Sequence, residues 1–412
     1  MFNLRRFGIK LGLDTIGSIL NDLGNPQNKF ATIHIAGTNG KGSIASALSE
    51  ILIKAGYKTG LYTSPHLVKF NERIKVNNVD ITDERVVALY EAVSSSGDSE
   101  REATFFEATT AMALYEFSNQ NVDIAIIETG MGGRLDATNI LNPAISVITN
   151  ISVEHQAYLG DTIEEIAFEK GGIIKENTPV VVGTRQDSVN EVIKKIAKEK
   201  NATLYHMGLN FESIKQSTQI FKYNGINSNW EDFKTGLSGD HQIDNSALTL
   251  ATCELLIEKG YKLNEEDIRF GLLNNKWPGR LEVVSEAPLI ILDGAHNDNA
   301  AFELANFLKN DLKDRHITLV VGILDDKSYS SMLASLLEAC DSVILTQPVI
   351  ERSLPPESLK PFAEKYVNDI VMIKSVSEAV DYAIKNAKDA ICIAGSLYVA
   401  GEAKIALMEM EI

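Results

Sequence analysis

Long apolar runs, a basic charge balance and cysteine are what this chain of 412 residues is short of, and each shortage removes a class of function. No stretch approaches the roughly 18 uninterrupted apolar residues that a membrane-spanning helix needs, so no membrane partner is expected. The first twenty residues include the pair Arg5 and Arg6 but no long apolar core and no small-residue cleavage site. They read as part of the mature protein and not as a secretory leader. Basic residues number 39 against 56 acidic ones, for a net charge of −17. A protein built to grip a phosphate backbone carries the opposite sign or a basic tail, so nucleic acid is not expected as a partner. Small anions stay open as substrates, because a few placed cations and a metal act locally. The three cysteines, Cys253, Cys340 and Cys392, sit in apolar surroundings without metal-like spacing. They read as reduced core thiols, which fits a cytoplasmic protein.

The chain is longer than one core usually supports, so two domains are expected. Short apolar runs alternate with helical patterns in two series. The first comprises 31–36, 58–63, 123–127, 144–149 and 179–182. An amphipathic stretch at 43–55 sets Ile44, Leu48, Ile51, Leu52 and Ala55 on one face. The second comprises 289–292, 317–321, 342–345, 370–373 and 390–394, with helical patterns at 298–309, 329–339, 376–387 and 398–410. Such alternation predicts parallel pairing through right-handed crossovers. Residues 203–236 differ: polar and aromatic residues alternate between turn signals, which predicts a small antiparallel patch. The fold class is therefore α/β. A phosphate-loop ATPase domain over 1–284, with a mainly parallel sheet and that patch, precedes a smaller Rossmann-like α/β domain over 285–412. The segment 274–288, with WPGR inside it, reads as the connection.

The strongest local signal is ATIHIA followed by Gly37, Thr38, Asn39, Gly40, Lys41, Gly42 and Ser43. A strand runs into a glycine-rich turn and a helix starts at once. Glycines let backbone N–H groups curl around phosphate oxygens, and the helix adds its positive end. Lys41 can reach the outer phosphates and Ser43 can face Mg2+. The pattern departs from the general phosphate loop in two places. Gly42 separates Lys41 from Ser43, and Ala36 stands where a glycine is usual.

GTNGKGS in this form resembles the folylpolyglutamate synthase and dihydrofolate synthase family, a branch of the Mur-type amide ligases. The resemblance continues in order through SPHL at 64–67, NERI at 71–74, FFEATT at 105–110 and ETGMGGRLDATN at 128–139. It goes on through EHQAYLG at 154–160, EKGGI at 169–173, HQIDN at 241–245, WPGR at 277–280 and DGAHN at 293–297. FGIKLGLDTI near the start matches the family's opening helix.

The resemblance implies ATP and two Mg2+ ions, with Ser64, Glu128 and His155 as metal ligands. Glu128 also has a reading from its own position, since a carboxylate between a strand and a glycine-rich turn suits a hard cation. A lone histidine is more often structural, so His155 as a ligand rests on the family, which usually places Asp where this chain has Glu154. Lys170 corresponds to a lysine that the family carbamylates; its plain reading is a surface lysine paired with a glutamate. Asn245, Arg280, Asp293 and His296 correspond to ATP contacts, with an interdomain salt bridge and helix capping as alternatives for this stretch. Leu135, Asp136 and Ala137 correspond to contacts with the pterin of the substrate, with a turn role for Asp136 as the alternative. Glu107 is either a pocket residue or the last member of the capping box that starts at Thr104.

The chemistry implied is transfer of the γ-phosphoryl group of ATP to a folate or dihydropteroate carboxylate, followed by attack of L-glutamate to give an amide. Lys41, Lys170, His155 and Arg280 are the expected catalytic group. A monomer is the family's usual state. Another Mur-type amide ligase, or a phosphate-loop kinase or nucleotide hydrolase, is the alternative.

Overall fold

The computed structural model describes residues 12–97, 101–325 and 329–412. The chain divides into two compact units. One comprises the chain up to Gly236 together with Gln242–Lys276, the other Leu237–His241 together with Trp277–Ile412. The first five residues of the expected opening helix lie outside the described residues; a helix is described over Asp14–Asp22.

In the first unit an eight-stranded sheet is built from β1 (Ala31–Ala36), β2 (Thr59–Tyr62), β3 (Ile74–Val76), β4 (Val79–Asp80), β5 (Ile124–Glu128), β6 (Ile145–Ile148), β7 (Val180–Val182) and β8 (Leu204–His206). Its order is β4-β3-β2-β5-β1-β6-β7-β8. All neighbours are parallel except β2–β3 and β3–β4. The central strands are buried along their length, which is why they read as continuous apolar runs without alternation. β3 and β4 form a hairpin around Asn77 and Asn78, both with positive φ. Asparagine tolerates that conformation, which a two-residue hairpin turn demands.

The expected antiparallel patch is a three-stranded sheet of β9 (Glu212–Lys215), β10 (Ile220–Asn224) and β11 (Asn229–Lys234). Buried Glu254 organises its turn, accepting from the backbone N–H groups of Ile226, Asn227 and Ser228 and from the Tyr223 hydroxyl.

The second unit holds a six-stranded sheet of β12 (Glu282–Glu286), β13 (Leu289–Leu292), β14 (Ile317–Val321), β15 (Ser342–Leu345), β16 (Asp369–Met372) and β17 (Ala390–Ala394). The order is β12-β13-β17-β14-β15-β16, antiparallel only at β12–β13. One apolar cluster packs Leu304, Leu308 and Leu336 against one face, and another packs Val380, Ala403 and Leu407 against the other. The sheet is therefore covered on both faces, as a Rossmann-like domain requires. The units divide between Lys276 and Trp277, ahead of the expected 284/285 join. That join would fall inside β12, whose ladder to β13 ties it to the second sheet. Among the described residues no helix is long and apolar enough to cross a membrane.

Candidate active site

Sheet register sets the site. β1 lies between β5 and β6, with Ile35 opposite Glu128 and Ala36 opposite Ile148. The phosphate loop therefore leaves the sheet with Glu128 on one side and Thr149–Asn150 on the other, at the carboxyl ends of parallel strands where open sheets bind ligands. The neighbouring strand positions hold the loop in shape. Thr38 N donates to Asn150 O at 2.8 Å, Asn39 N to Asn150 Oδ1 at 2.9 Å, and the Thr149 hydroxyl to Asn39 O at 2.6 Å. Gly40, at φ +84°, begins the helix Lys41–Lys54. A Cβ there would press on the Asn245 carboxamide, so glycine is required both for the backbone and for the approach of Asn245.

Lys41 folds over the loop. Its ammonium donates to Gly37 O at 2.9 Å and Thr38 O at 3.0 Å, and lies 3.9 Å from Glu128 Oε1. Ser64, just beyond β2, donates its backbone N–H to Glu128 Oε2 at 3.2 Å. The Ser64 backbone and the Glu128 carboxylate thus meet beside a loop of backbone donors, and a carboxylate there suits a hard cation. Among the described residues no cluster of three or more His, Cys, Asp or Glu side chains surrounds it. Ser43 lies in the first turn of the helix. It is buried, and its hydroxyl faces Gln242 Nε2 at 3.4 Å. The inserted Gly42 accounts for this, since one extra helical residue turns the side chain by about 100°.

Lys170 is 1% exposed, which excludes the surface reading. Its ammonium donates to Glu154 Oε1 at 2.7 Å and to Gly37 O at 2.8 Å. Burial pushes the ammonium down to about 8 against the attraction of Glu154, with Lys41 adding to the drop. Burial alone would raise Glu154, but Lys170 and Lys41 outweigh it and hold the carboxyl at about 2. Lys170 is brought there by the docking of two glycine-rich segments. Arg134 N donates to Glu169 O at 2.7 Å, and a Cβ on Gly133 would lie 2.8 Å from the carbonyl oxygens of both Glu169 and Lys170. His155 is exposed, at φ +48°, with its charge acting on Glu154.

In the second unit Asp293 follows β13 and is buried. Its carboxylate accepts from Leu281 N at 2.8 Å and Ala295 N at 2.7 Å. Burial pushes it up, with Arg280 opposing. His296 Nδ1 lies 2.7 Å from Gly294 O, and Asn297 caps the helix Asp298–Asp311 through Ala300 N.

The Mur ligase middle domain matches residues 35–253, and the Mur ligase glutamate ligase domain matches residues 279–397. The dihydrofolate synthase/folylpolyglutamate synthase of Bacillus subtilis is 35% identical over 95% of this chain and 94% of that protein. The chain belongs to the folylpolyglutamate synthase and dihydrofolate synthase family of Mur ligases. Among solved structures, E. coli FolC in complex with DHPP and ADP superposes with a TM-score of 0.92 at 30% identity, covering 100% of this chain and 96% of that one. The bifunctional folylpolyglutamate synthase/dihydrofolate synthase of Yersinia pestis, complexed with AMPPNP and Mn ion, gives 0.88 at 29% identity, covering 100% and 96%.

Two expected substrate residues of this Mur ligase are occupied within their own turns. Glu107 is buried and closes the capping box on Thr104, while Arg101 grips its carboxylate with two guanidinium nitrogens at 2.8 and 2.6 Å. Glu107→Ala is expected to cost about 2–3 kcal/mol, since both a cap and a buried ion pair are lost. Urea denaturation checks this; unchanged stability with a raised KM for the folate would assign Glu107 to the pocket instead. Asp136 caps the 3-10 turn Ala137–Ile140, and its carboxylate takes four donors from its own loop. Leu135 is half-buried and Ala137 buried beside it.

Thr149, Asn150, Glu154 and Gln242 also shape the site and were not among the expected ligands. Asn150 carried a signal in its place at the end of a strand, and Glu154 and Gln242 in the blocks EHQAYLG and HQIDN that carry the resemblance.

Proposed function

We propose that this ligase joins L-glutamate to the carboxylate of dihydropteroate, of a folate, or of both, with ATP converted to ADP and phosphate. The observation that carries the reading is the convergence of Lys41, Glu128 and buried Lys170 on one phosphate loop, in a chain matched over nearly its whole length by the B. subtilis enzyme. One oxygen of the substrate carboxylate attacks the γ-phosphorus. The bond to the β–γ bridging oxygen breaks and ADP leaves, giving an acyl phosphate. The glutamate amine then attacks the carbonyl carbon, phosphate departs, and the nitrogen loses a proton to leave the amide.

Each residue has a defined task. Backbone N–H groups over residues 37–43 and the start of the following helix bind phosphate oxygens. Lys41 leaves the Gly37 and Thr38 carbonyls for the phosphates and offsets the charge that develops between them. Ser64, Glu128 and His155 would hold Mg2+, as two ions, which supply further charge neutralisation. Asn245 binds nucleotide from the first unit, and Arg280, Asp293 and His296 are the second unit's candidates for nucleotide contacts. Leu135 and Ala137 are assigned to the folate, with Asp136 and Glu107 holding the turns that present it.

Carbamylation of Lys170 belongs to the same reading. The neutral amine attacks CO2, an N–C bond forms and a proton is released, leaving an anionic carbamate for the metal. An amine pushed down to about 8 by burial is neutral near pH 7 far more often than an ordinary lysine. The free cysteines fit a cytoplasmic protein and the acidic charge balance one that acts on small molecules without nucleic acid; a monomer is the family's usual state.

The test measures ADP release with ATP, Mg2+ and glutamate, offering dihydropteroate and tetrahydrofolate separately and weighing the products. ADP formation is expected to need both glutamate and acceptor, and the acceptor gains one glutamyl unit. Equal ADP release without glutamate, with no mass gain on either acceptor, would overturn the assignment.

A further inference from the structure

His34 lies in the middle of β1, three residues before Gly37, and is 0% exposed. Burying an imidazole in a strand of Ile, Thr and Ala sacrifices hydration that an aliphatic side chain would not need. Its contacts give it a use. Nε2 lies 2.7 Å from Thr138 Oγ1, and the same hydroxyl donates to Asp136 Oδ1. Thr138 N donates to that carboxylate oxygen at 3.0 Å. The other oxygen takes Gly130 N at 3.0 Å and Met131 N at 2.9 Å.

A hydroxyl has one proton. Because the carboxylate receives it, the Thr138 oxygen can only accept from the imidazole. Nε2 therefore carries the hydrogen and Nδ1 is bare, and Nδ1 has no hydrogen-bond partner among the described residues. An unbroken chain of hydrogen bonds thus runs from the strand that launches the phosphate loop to the peptide groups of Gly130 and Met131, two and three residues beyond Glu128.

We propose that His34 is a positioning residue: as a neutral Nε2–H donor it fixes, through Thr138 and Asp136, the turn behind Glu128 and with it the direction of the Glu128 carboxylate. The inference rests on the reading of Glu128 as a metal ligand. Burial, with Lys175 adding to it, pushes the imidazolium down to about 3, so the ring stays neutral at working pH and its effect is geometric. The path from His34 to Glu128 runs through three hydrogen bonds and the peptide groups that follow Glu128. The effect is therefore smaller than the roughly 10- to 100-fold that partners bonded directly to a ligand exert.

The test is Mn2+ titration followed by electron paramagnetic resonance in the presence of a non-hydrolysable ATP analogue, with Tm and the split between kcat and KM recorded alongside. His34→Leu and Thr138→Val are each expected to weaken Mn2+ binding by about three- to tenfold, below the range for direct partners of a ligand, and the double variant no further. His34→Gln and Thr138→Ser, which keep the donor and the hydroxyl, are expected to bind Mn2+ close to the native level. If His34→Leu fails to fold, the isosteric Thr138→Val carries the test. A lower Tm with native Mn2+ affinity in both apolar variants would make His34 a packing residue and overturn the proposal. So would equal losses in the apolar and the conservative variants. Glu128→Gln separates the two layers. No effect of that change on Mn2+ affinity overturns the ligand reading, whereas a loss there with none in His34→Leu overturns the positioning role alone.

Discussion

Lys170→Met is expected to destabilise the first unit by about 3–5 kcal/mol, because it leaves a buried carboxylate without its counter-ion. Glu154 Oε1 lies 2.7 Å from the Lys170 ammonium, and the two side chains are 10% and 2% exposed. The Gly37 carbonyl loses a donor in the same step. Adding Glu154→Gln to Lys170→Met should recover much of the loss, since the stranded charge goes with it. Urea midpoints of the single and double variants measure this, and additive losses would show that the pair is not coupled. Activity falls as well, by about a hundredfold or more if the residue works beside the phosphates. A carbamate role predicts partial rescue of Lys170→Ala by a short carboxylic acid such as acetate; rescue by ethylamine alone would mean that the ammonium is what matters.

The pH dependence follows from the same group. Lys170 titrates at about 8 in the fold against an ordinary 10.5. Between those values the unfolded chain binds the extra proton, so stability rises with pH. The cost of burying the ammonium is fully present below about pH 8 and is relieved as pH climbs toward 10.5. Carbamate formation runs in the same direction. With 13C-labelled bicarbonate, the carbamate signal is expected to strengthen between about pH 7 and 9, as the neutral amine accumulates. A signal independent of pH across that range would contradict it.

Lys41→Ala is expected to lower kcat by about a thousandfold, the scale of removing one preorganised donor to developing charge. Its contribution to the fold is of similar size and must be measured separately. The ammonium makes two hydrogen bonds to loop carbonyls, which as bonds to a charged group are together worth about 3–6 kcal/mol at most. Lys41→Arg should not restore the rate, since a planar guanidinium cannot stand in for a compact ammonium inside a tight loop. Steady-state kcat and KM for ATP, with a thermal melt of each variant, separate the two effects. A kcat within tenfold of the native enzyme would remove Lys41 from the chemistry.

Much of the architecture was legible in the sequence. Strands buried on both faces announced themselves as apolar runs, and β1, β13, β14, β15 and β17 fall where those runs lie. β3 and β4 were missed because three and two residues are too short to show a period, although the Asn77–Asn78 pair signals a hairpin turn. The helix Pro356–Ala363 was missed too. Pro356 suits the first helical position, where its missing N–H costs nothing, but Pro361 lies inside the helix and reads as loop because it forfeits the bond to the carbonyl four residues back.

The site divides along the same line. The residues' own types and order determined the loop, its lysine, the strand-end carboxylate and, through resemblance, the family, because local backbone geometry and short-range chemistry are written in adjacent positions. Lys170 became a group beside Gly37, and His34 was joined through Thr138 to Asp136, only when the sheet closed and brought segments more than a hundred residues apart within hydrogen-bonding distance. Glu154, nearer in sequence, became the partner of Lys170 in the same packing. Burial then settled what residue type left open. It shifted the Lys170 ammonium toward neutrality, committed the Asp136 and Glu107 carboxylates to their own turns, and turned Ser43 inward. Solvent exclusion is a property of the packed whole, and no local pattern in the chain encodes it.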